Sequence, residues 1–188
     1  MSRACLLLAV LAALAAPVTA QTVINGDFEQ PLDVGWKEST YSQAGIQSYD
    51  RWDTLGHPTY AARVYKYLAS FASLSQNVTV PGPDYTLSLD ARLRIGGGSS
   101  TCWPVAAFIV RYLDQNGIEL GNTKFYMHSP YATWTSSDTA HLIDCNSVAG
   151  WQNYSLRIRE ELVQNLPGVS PDAVREVTLE LHAYDSGT

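Results

Sequence analysis

The sequence predicts an all-β protein, two sheets packed as a β-sandwich or jelly roll with one or two short helices. Three observations predict it. From Tyr85 to Ile95 the residues Tyr85, Leu87, Leu89, Ala91, Leu93 and Ile95 alternate with Thr86, Ser88, Asp90, Arg92 and Arg94. That period of two marks a strand with one face in a core and one in water. An earlier run, Leu74, Gln76, Val78 and Val80, is separated from it by Pro81-Gly82-Pro83-Asp84, a turn signal, so the two read as a hairpin. Helix is scarce: only Glu160 to Leu166, stopped by Pro167-Gly168, and one turn after Ser170-Pro171-Asp172 suit it.

The remaining elements follow in order. Residues 1 to 20 read as a secretory signal peptide: Arg3, an apolar stretch from Leu6 to Ala15, then Val18-Thr19-Ala20 before Gln21. The mature domain, 21 to 188, is then exported, and no later apolar run is long enough for membrane insertion. Val23 to Glu29, around Asn25-Gly26, suits a first strand and its exit. Residues 37 to 59 read as strand fragments in long loops, and Tyr60 to Tyr67 as a strand. Gly96-Gly97-Gly98-Ser99-Ser100 is a flexible turn with no Gly-Lys-Ser/Thr after it, which excludes a phosphate loop. Val105 to Leu113 is a mainly apolar strand. Asp114-Gln115-Asn116-Gly117 turns it back into Ile118 to Met127. Residues 128 to 150 form a long polar loop, and Trp151 to Ile158 and Val177 to Tyr184 are further strands.

Composition narrows the function. Loss of Arg3 with the leader leaves 11 basic against 18 acidic residues, a balance of −7, with the basic residues scattered singly. That excludes the patch a nucleic acid or an anionic membrane requires. Two cysteines remain, Cys102 and Cys145, and an exported compartment favours one disulfide between them. Two free buried thiols are the alternative. Asn77-Val-Thr79 and Asn153-Tyr-Ser155 are glycosylation sequons.

Several pieces, in this order, resemble the carbohydrate-binding modules of the family 4/9 (CenC) type, which are galactose-binding-like jelly rolls. These are Asn25-Gly26-Asp27-Phe28-Glu29 with Gly35-Trp36, Ala61 to Val64, Gln76 to Val78, Tyr85 to Arg92, Val110 to Gly117, and Gly150 to Ser155. The resemblance covers nearly all of the mature chain. It implies a non-catalytic domain that binds a polysaccharide or glycan, expected here as a monomer. It also implies a structural calcium with Glu29 as the opening ligand. The family's closing Asp-Asp-Val strand, which would supply the other carboxylate, has no counterpart before Asp185-Ser186-Gly187-Thr188. Either the chain is a fragment of a longer protein or that last strand is absent. The loop from 128 to 150 is longer than the family leads one to expect.

Sugars present hydroxyl pairs and a weakly apolar ring face, so a site needs planar polar groups and an aromatic platform. If the apolar strand faces pack inward, Asp90, Arg92, Arg111, Arg157, Glu180 and His182 collect on a polar face that meets the first need. Trp103 and Trp134, close to the two cysteines, meet the second, whereas Trp36 and Trp151 match framework positions. The other reading of that face is ordinary solvated surface. Catalysis is the poorer expectation. No Gly-x-Ser-x-Gly elbow or His-Glu-x-x-His is present. Asp90 with Glu180 is the single carboxylate pair nominated for one face, and arginines beside them lower an acid's pKa. A structural or adhesive domain with no sugar ligand is the alternative function.

Overall fold

The computed structural model describes residues 23–41, 44–53, 60–68, 70–147 and 150–187; the expected signal peptide, residues 1–20, lies outside these. Among the described residues the strands are β1 (Lys37–Thr40), β2 (Ile46–Asp53), β3 (Tyr60–Tyr67), β4 (Ser70–Thr79), β5 (Thr86–Ala91), β6 (Pro104–Leu113), β7 (Glu119–His128), β8 (Ala140–Asp144), β9 (Gln152–Arg157) and β10 (Glu176–Asp185). Helix α1 (Ile158–Asn165) and a single 3-10 turn at Pro171–Ala173 fall where the sequence places them.

Six strands form one sheet in the order β1-β4-β10-β6-β7-β8. Every pair is antiparallel except β7 with β8. Two small antiparallel sheets, β2 with β3 and β5 with β9, complete the β-sandwich. All three turn their apolar faces to one core. Leu74, Val78, Phe108, Val110, Tyr112 and Leu179 come from the large sheet, with Leu87, Leu89, Leu156 and Tyr154 from β5 and β9, and Tyr49, Ala62 and Val64 from β2 and β3. Leu162 of α1 and Leu166 just after it, both fully buried, plug one end.

Strand β6 explains the second layer of burial. Its core-facing residues alternate with Val105, Ala107 and Ile109, which are also buried, on the opposite face of the sheet. A strand covered on both sides reads as a continuous apolar run, as β6 does. The cover comes from the segment between β7 and β8. Parallel neighbours cannot be joined by a tight turn, so the chain must cross back over the sheet. It does so through residues 129–139, laying Ala132 and Trp134 on that apolar patch.

Four expectations change. Leu74–Val80 and Tyr85–Ile95 are not a hairpin: β4 lies between β1 and β10, and Pro81–Asp84 carries the chain to the opposite layer, where β5 pairs with β9. That pairing stops at Ala91, opposite the first residue of β9, so the alternation through Ile95 continues past the strand. Val23–Glu29 is a turn rather than a strand, and the first strand is β1. The Asn25 side chain takes the N–H of Gln30 and donates to the carbonyls of Gln30 and Pro31, which diverts this backbone from a ladder. Inside the long 128–150 loop lies a strand, β8, too short for periodicity to reveal.

Candidate functional site

The six-stranded sheet has a face turned away from the core, called here the open face. Pairing register fixes what it presents. One row runs Ser75, Glu180, Ile109, Lys124 and Leu142; the next runs Ser73, His182, Ala107, Tyr126 and Asp144; a third brings Phe71, Tyr184, Val105 and His128. Arg111 lies one row to the other side, between Thr178 and Asn122.

Charge is tightly organised there. Arg111 Nε donates to Glu180 Oε2 at 2.7 Å and its Nη1 to Glu119 Oε2 at 2.9 Å. His182 Nδ1 lies 2.7 Å from the other Glu180 oxygen, and with a carboxylate as acceptor the ring nitrogen must be the donor. Burial alone raises the Glu180 carboxyl, but the His182 hydrogen bond and the Arg111 charge outweigh it and bring it down to about 2. Glu180 is therefore an anion at neutral pH. Lys124 stands in the same row, its ammonium 4.7 Å from the centre of the Trp134 ring. Burial first, and Arg111 second, lower its pKa. Both carboxylates that act on it, Glu119 and Glu180, are held by Arg111.

An aromatic band crosses the same rows. Tyr41 stacks on Phe71, Phe71 on His182, and Trp134 lies between His182, Tyr126 and Tyr184, with centroid separations from 5.1 to 6.2 Å. Trp103 packs on Tyr184 at 4.9 Å and His128 on Tyr126 at 4.5 Å. The rings sit in the range of favourable aromatic pairs, so the band is self-supporting. The polar groups and the rings thus meet on one surface, which is what recognition of a hydroxylated ring requires.

The structure brings together five of the residues the sequence nominates for ligand: Arg111, Glu180, His182, Trp103 and Trp134. It does not bring in the other three. Asp90 and Arg157 lie on the solvent side of the β5–β9 sheet, and exposed Arg92 follows the end of β5. Both sheets point their apolar residues at the shared core, so these outward faces are on opposite sides of the sandwich. Alternation shows that a residue faces away from a core but not from which layer. Asp90 accepts from Asn153 Nδ2 at 2.9 Å, and Arg157 pairs with Glu160 at 2.9 Å. A shallow groove beside Arg157, lined by Ser155, Glu160, Gln164 and Asn165 among others, has no aromatic ring on its wall. The carboxylate pair Asp90 and Glu180 is separated by the same geometry and cannot straddle one bond.

Lys124 and His128 were discoverable: with Tyr126, one of the rings the sequence leaves unexplained by packing, they alternate with Thr123, Phe125 and Met127 as clearly as the chosen residues do. The link from Tyr41 to Phe71 had no sequence signal, because it depends on β1 pairing with β4.

The Cys102–Cys145 bridge is absent; both are free thiols. Cys102 donates to Asp185 Oδ1 at 3.1 Å at the β10 side of β6. Cys145 is buried beyond β8, with the Tyr154 hydroxyl against it. Two strand spacings, roughly 10 Å, separate these places, more than the about 7 Å a disulfide tolerates. What steadies Trp103 and Trp134 is the aromatic band.

The residues around Glu29 do not fit a calcium ion. Its carboxylate is exposed, and the carbonyls of Phe28 and Glu29 beside it accept from Arg51 Nε and Nη2, both at 2.8 Å, which sets a guanidinium cation against the one nominated ligand. Among the described residues no three His, Cys, Asp or Glu side chains cluster as metal ligands.

No protein-family model and no curated protein matches the chain. Among solved structures it is similar to the enzymatically active domain of tailspike protein 4 of bacteriophage CBA120, with a TM-score of 0.48 and 13% identity over 87% of this chain and 19% of that one. It is also similar to the family 11 carbohydrate-binding module of the cellulosomal cellulase Lic26A-Cel5E of Clostridium thermocellum, with a TM-score of 0.36 and 11% identity over 90% of this chain and 92% of that one. Both scores fall below 0.5, and neither likeness assigns a ligand or an activity to this chain.

Proposed function

We propose that the protein is an exported, non-catalytic, monomeric carbohydrate-binding domain that takes a glycan on the open face of its six-stranded sheet. One observation carries this: a continuous aromatic band and a row of ionised hydrogen-bonding groups share that face. Trp134, Tyr184 and Trp103 supply ring surface and Lys124 donates to sugar hydroxyls, while Glu180, its side chain only 8% exposed and both oxygens held by Arg111 and His182, fixes the charge beneath them. Arg111 and His182 are positioning residues that hold the Glu180 carboxylate. The exported state rests on the leader sequence, and the family 4/9 resemblance supports the ligand class. Arg111 and Lys124 are balanced by Glu119 and Glu180, which gives no footing for nucleic acid.

A second reading, a structural or adhesive domain with no sugar ligand, is favoured by a specific observation. Trp134 covers Ile109 and Ala107, so part of the band is also a small core. Native affinity electrophoresis through a panel of soluble neutral and acidic polysaccharides separates the two. Retardation by one class of glycan supports the binding domain. Unchanged mobility in all of them, from a folded sample, supports the structural one.

A further inference from the structure

The β2–β3 hairpin has a second exposed face that the proposed site leaves unused. Its register places Tyr49, Val64 and Ala62 against the core. The alternating residues Ile46, Tyr67, Tyr65 and Trp52 therefore point outward, and they are 60%, 50%, 46% and 42% exposed. From Tyr67 to the row of Trp52, opposite Ala61, the stripe spans seven residues of β3, or about 20 Å. Its one charged pair is internally neutralised: Arg63 donates through Nε and Nη2 to both Asp50 oxygens at 3.0 and 2.8 Å. The same guanidinium lies 5.2 Å from the Trp52 ring and braces it.

We infer that this stripe is a second glycan-contacting surface, which lies along a neutral polysaccharide chain at the surface of a particle. The inference rests on the reading of the protein as a glycan binder. Three exposed rings in a row offer stacking surface to an extended chain of sugar rings, and a surface without unpaired charge suits a neutral one. A second copy of this chain fits less well. Four half-exposed side chains offer roughly 400 Å², about half of the ~800 Å² per partner that a stable dimer buries. The open face sets Lys124 as a hydrogen-bond donor beside its rings; the stripe offers ring contact without free charge.

The test is a depletion assay with washed microcrystalline cellulose, insoluble xylan and granular starch, run beside affinity electrophoresis in soluble polysaccharide. Trp52→Ala with Tyr65→Ala is expected to weaken particle binding at least tenfold while soluble binding stays as in the wild type. Trp134→Ala is expected to do the reverse. Trp52→Phe, which keeps a ring, should recover most of the particle binding and controls for misfolding. If the stripe variant binds particles as the wild type does, or the wild type binds soluble glycan but no particle, the inference is overturned and the open-face reading stands. If the wild type binds neither, both fall. A dimeric wild type made monomeric by the stripe substitutions assigns the surface to self-association and overturns the inference.

Discussion

Glu180 concentrates the chemistry of the open face, and its low pKa gives a measurable consequence. The folded carboxyl is held near 2, below the usual value of 4.5. Its stabilising contribution is complete above the unfolded pKa and is lost as the pH falls from 4.5 toward 2. Between pH 6 and pH 3 the wild type should lose about 2 kcal/mol from this group, read as urea midpoints. Glu180→Gln should remove that part of the pH dependence; an unchanged slope would show that Arg111 and His182 do not hold the charge. Trp134→Ala should lower glycan affinity by about 1 kcal/mol or more, measured by calorimetry. Gln76 matters for a different reason. Buried, it accepts from Ile24 N–H at 2.7 Å and donates to the carbonyls of Ile24 and Gly35 at 2.9 Å. Gln76→Leu strands those groups and should cost roughly 2–4 kcal/mol in denaturant unfolding. The sequence shows Gln76 as a polar residue in an apolar alternation, and only the distant Ile24 and Gly35 explain it.

The crossover from β7 to β8 ties this fold to its site. It brings Trp134 over Tyr126 and Tyr184, and its return is packed without slack. A Cβ on Gly121 would stand 2.6 Å from both Thr139 O and Val169 Cγ2. Gly121→Ala should therefore push the start of β8 outward, cost about 1–3 kcal/mol in a thermal melt, and weaken glycan binding although it touches no ligand. Normal stability would show that the crossover tolerates displacement. Strands with clear alternation, β5, β7, β9 and β10, were readable from the sequence, as was α1 from its Pro-Gly stop. The partners of β4 and β5 were not, because alternation assigns a face and a turn signal cannot tell a hairpin from a change of layer. β8 was hidden by its length and by a parallel pairing that leaves no local mark.

Taken as one body, the protein is a sandwich in which the outward faces of the six-stranded sheet and of β5–β9 lie on opposite sides, and that division decides how its polar residues are sorted. Reading strands singly merges those faces, which is why Asp90, Arg92 and Arg157 joined Arg111, Glu180 and His182 in the sequence reading. The thiols follow the same division. Cys102 sits where β6 begins and β10 ends, and Cys145 lies in the core, so thiol titration of the mature protein in denaturant should find both reactive. A reductant should leave the melting temperature unchanged, whereas a marked fall would restore the bridge. Glycan binding on the open face of the six-stranded sheet is the proposal on which the rest depends. The most direct measurement is glycan affinity for Trp134→Ala and Glu180→Gln beside Asp90→Ala and Arg157→Ala, each shown to be folded. Binding on the open face requires at least a fivefold loss in the first pair and wild-type affinity in the second. The opposite pattern would move the site to the β5–β9 face and contradict it.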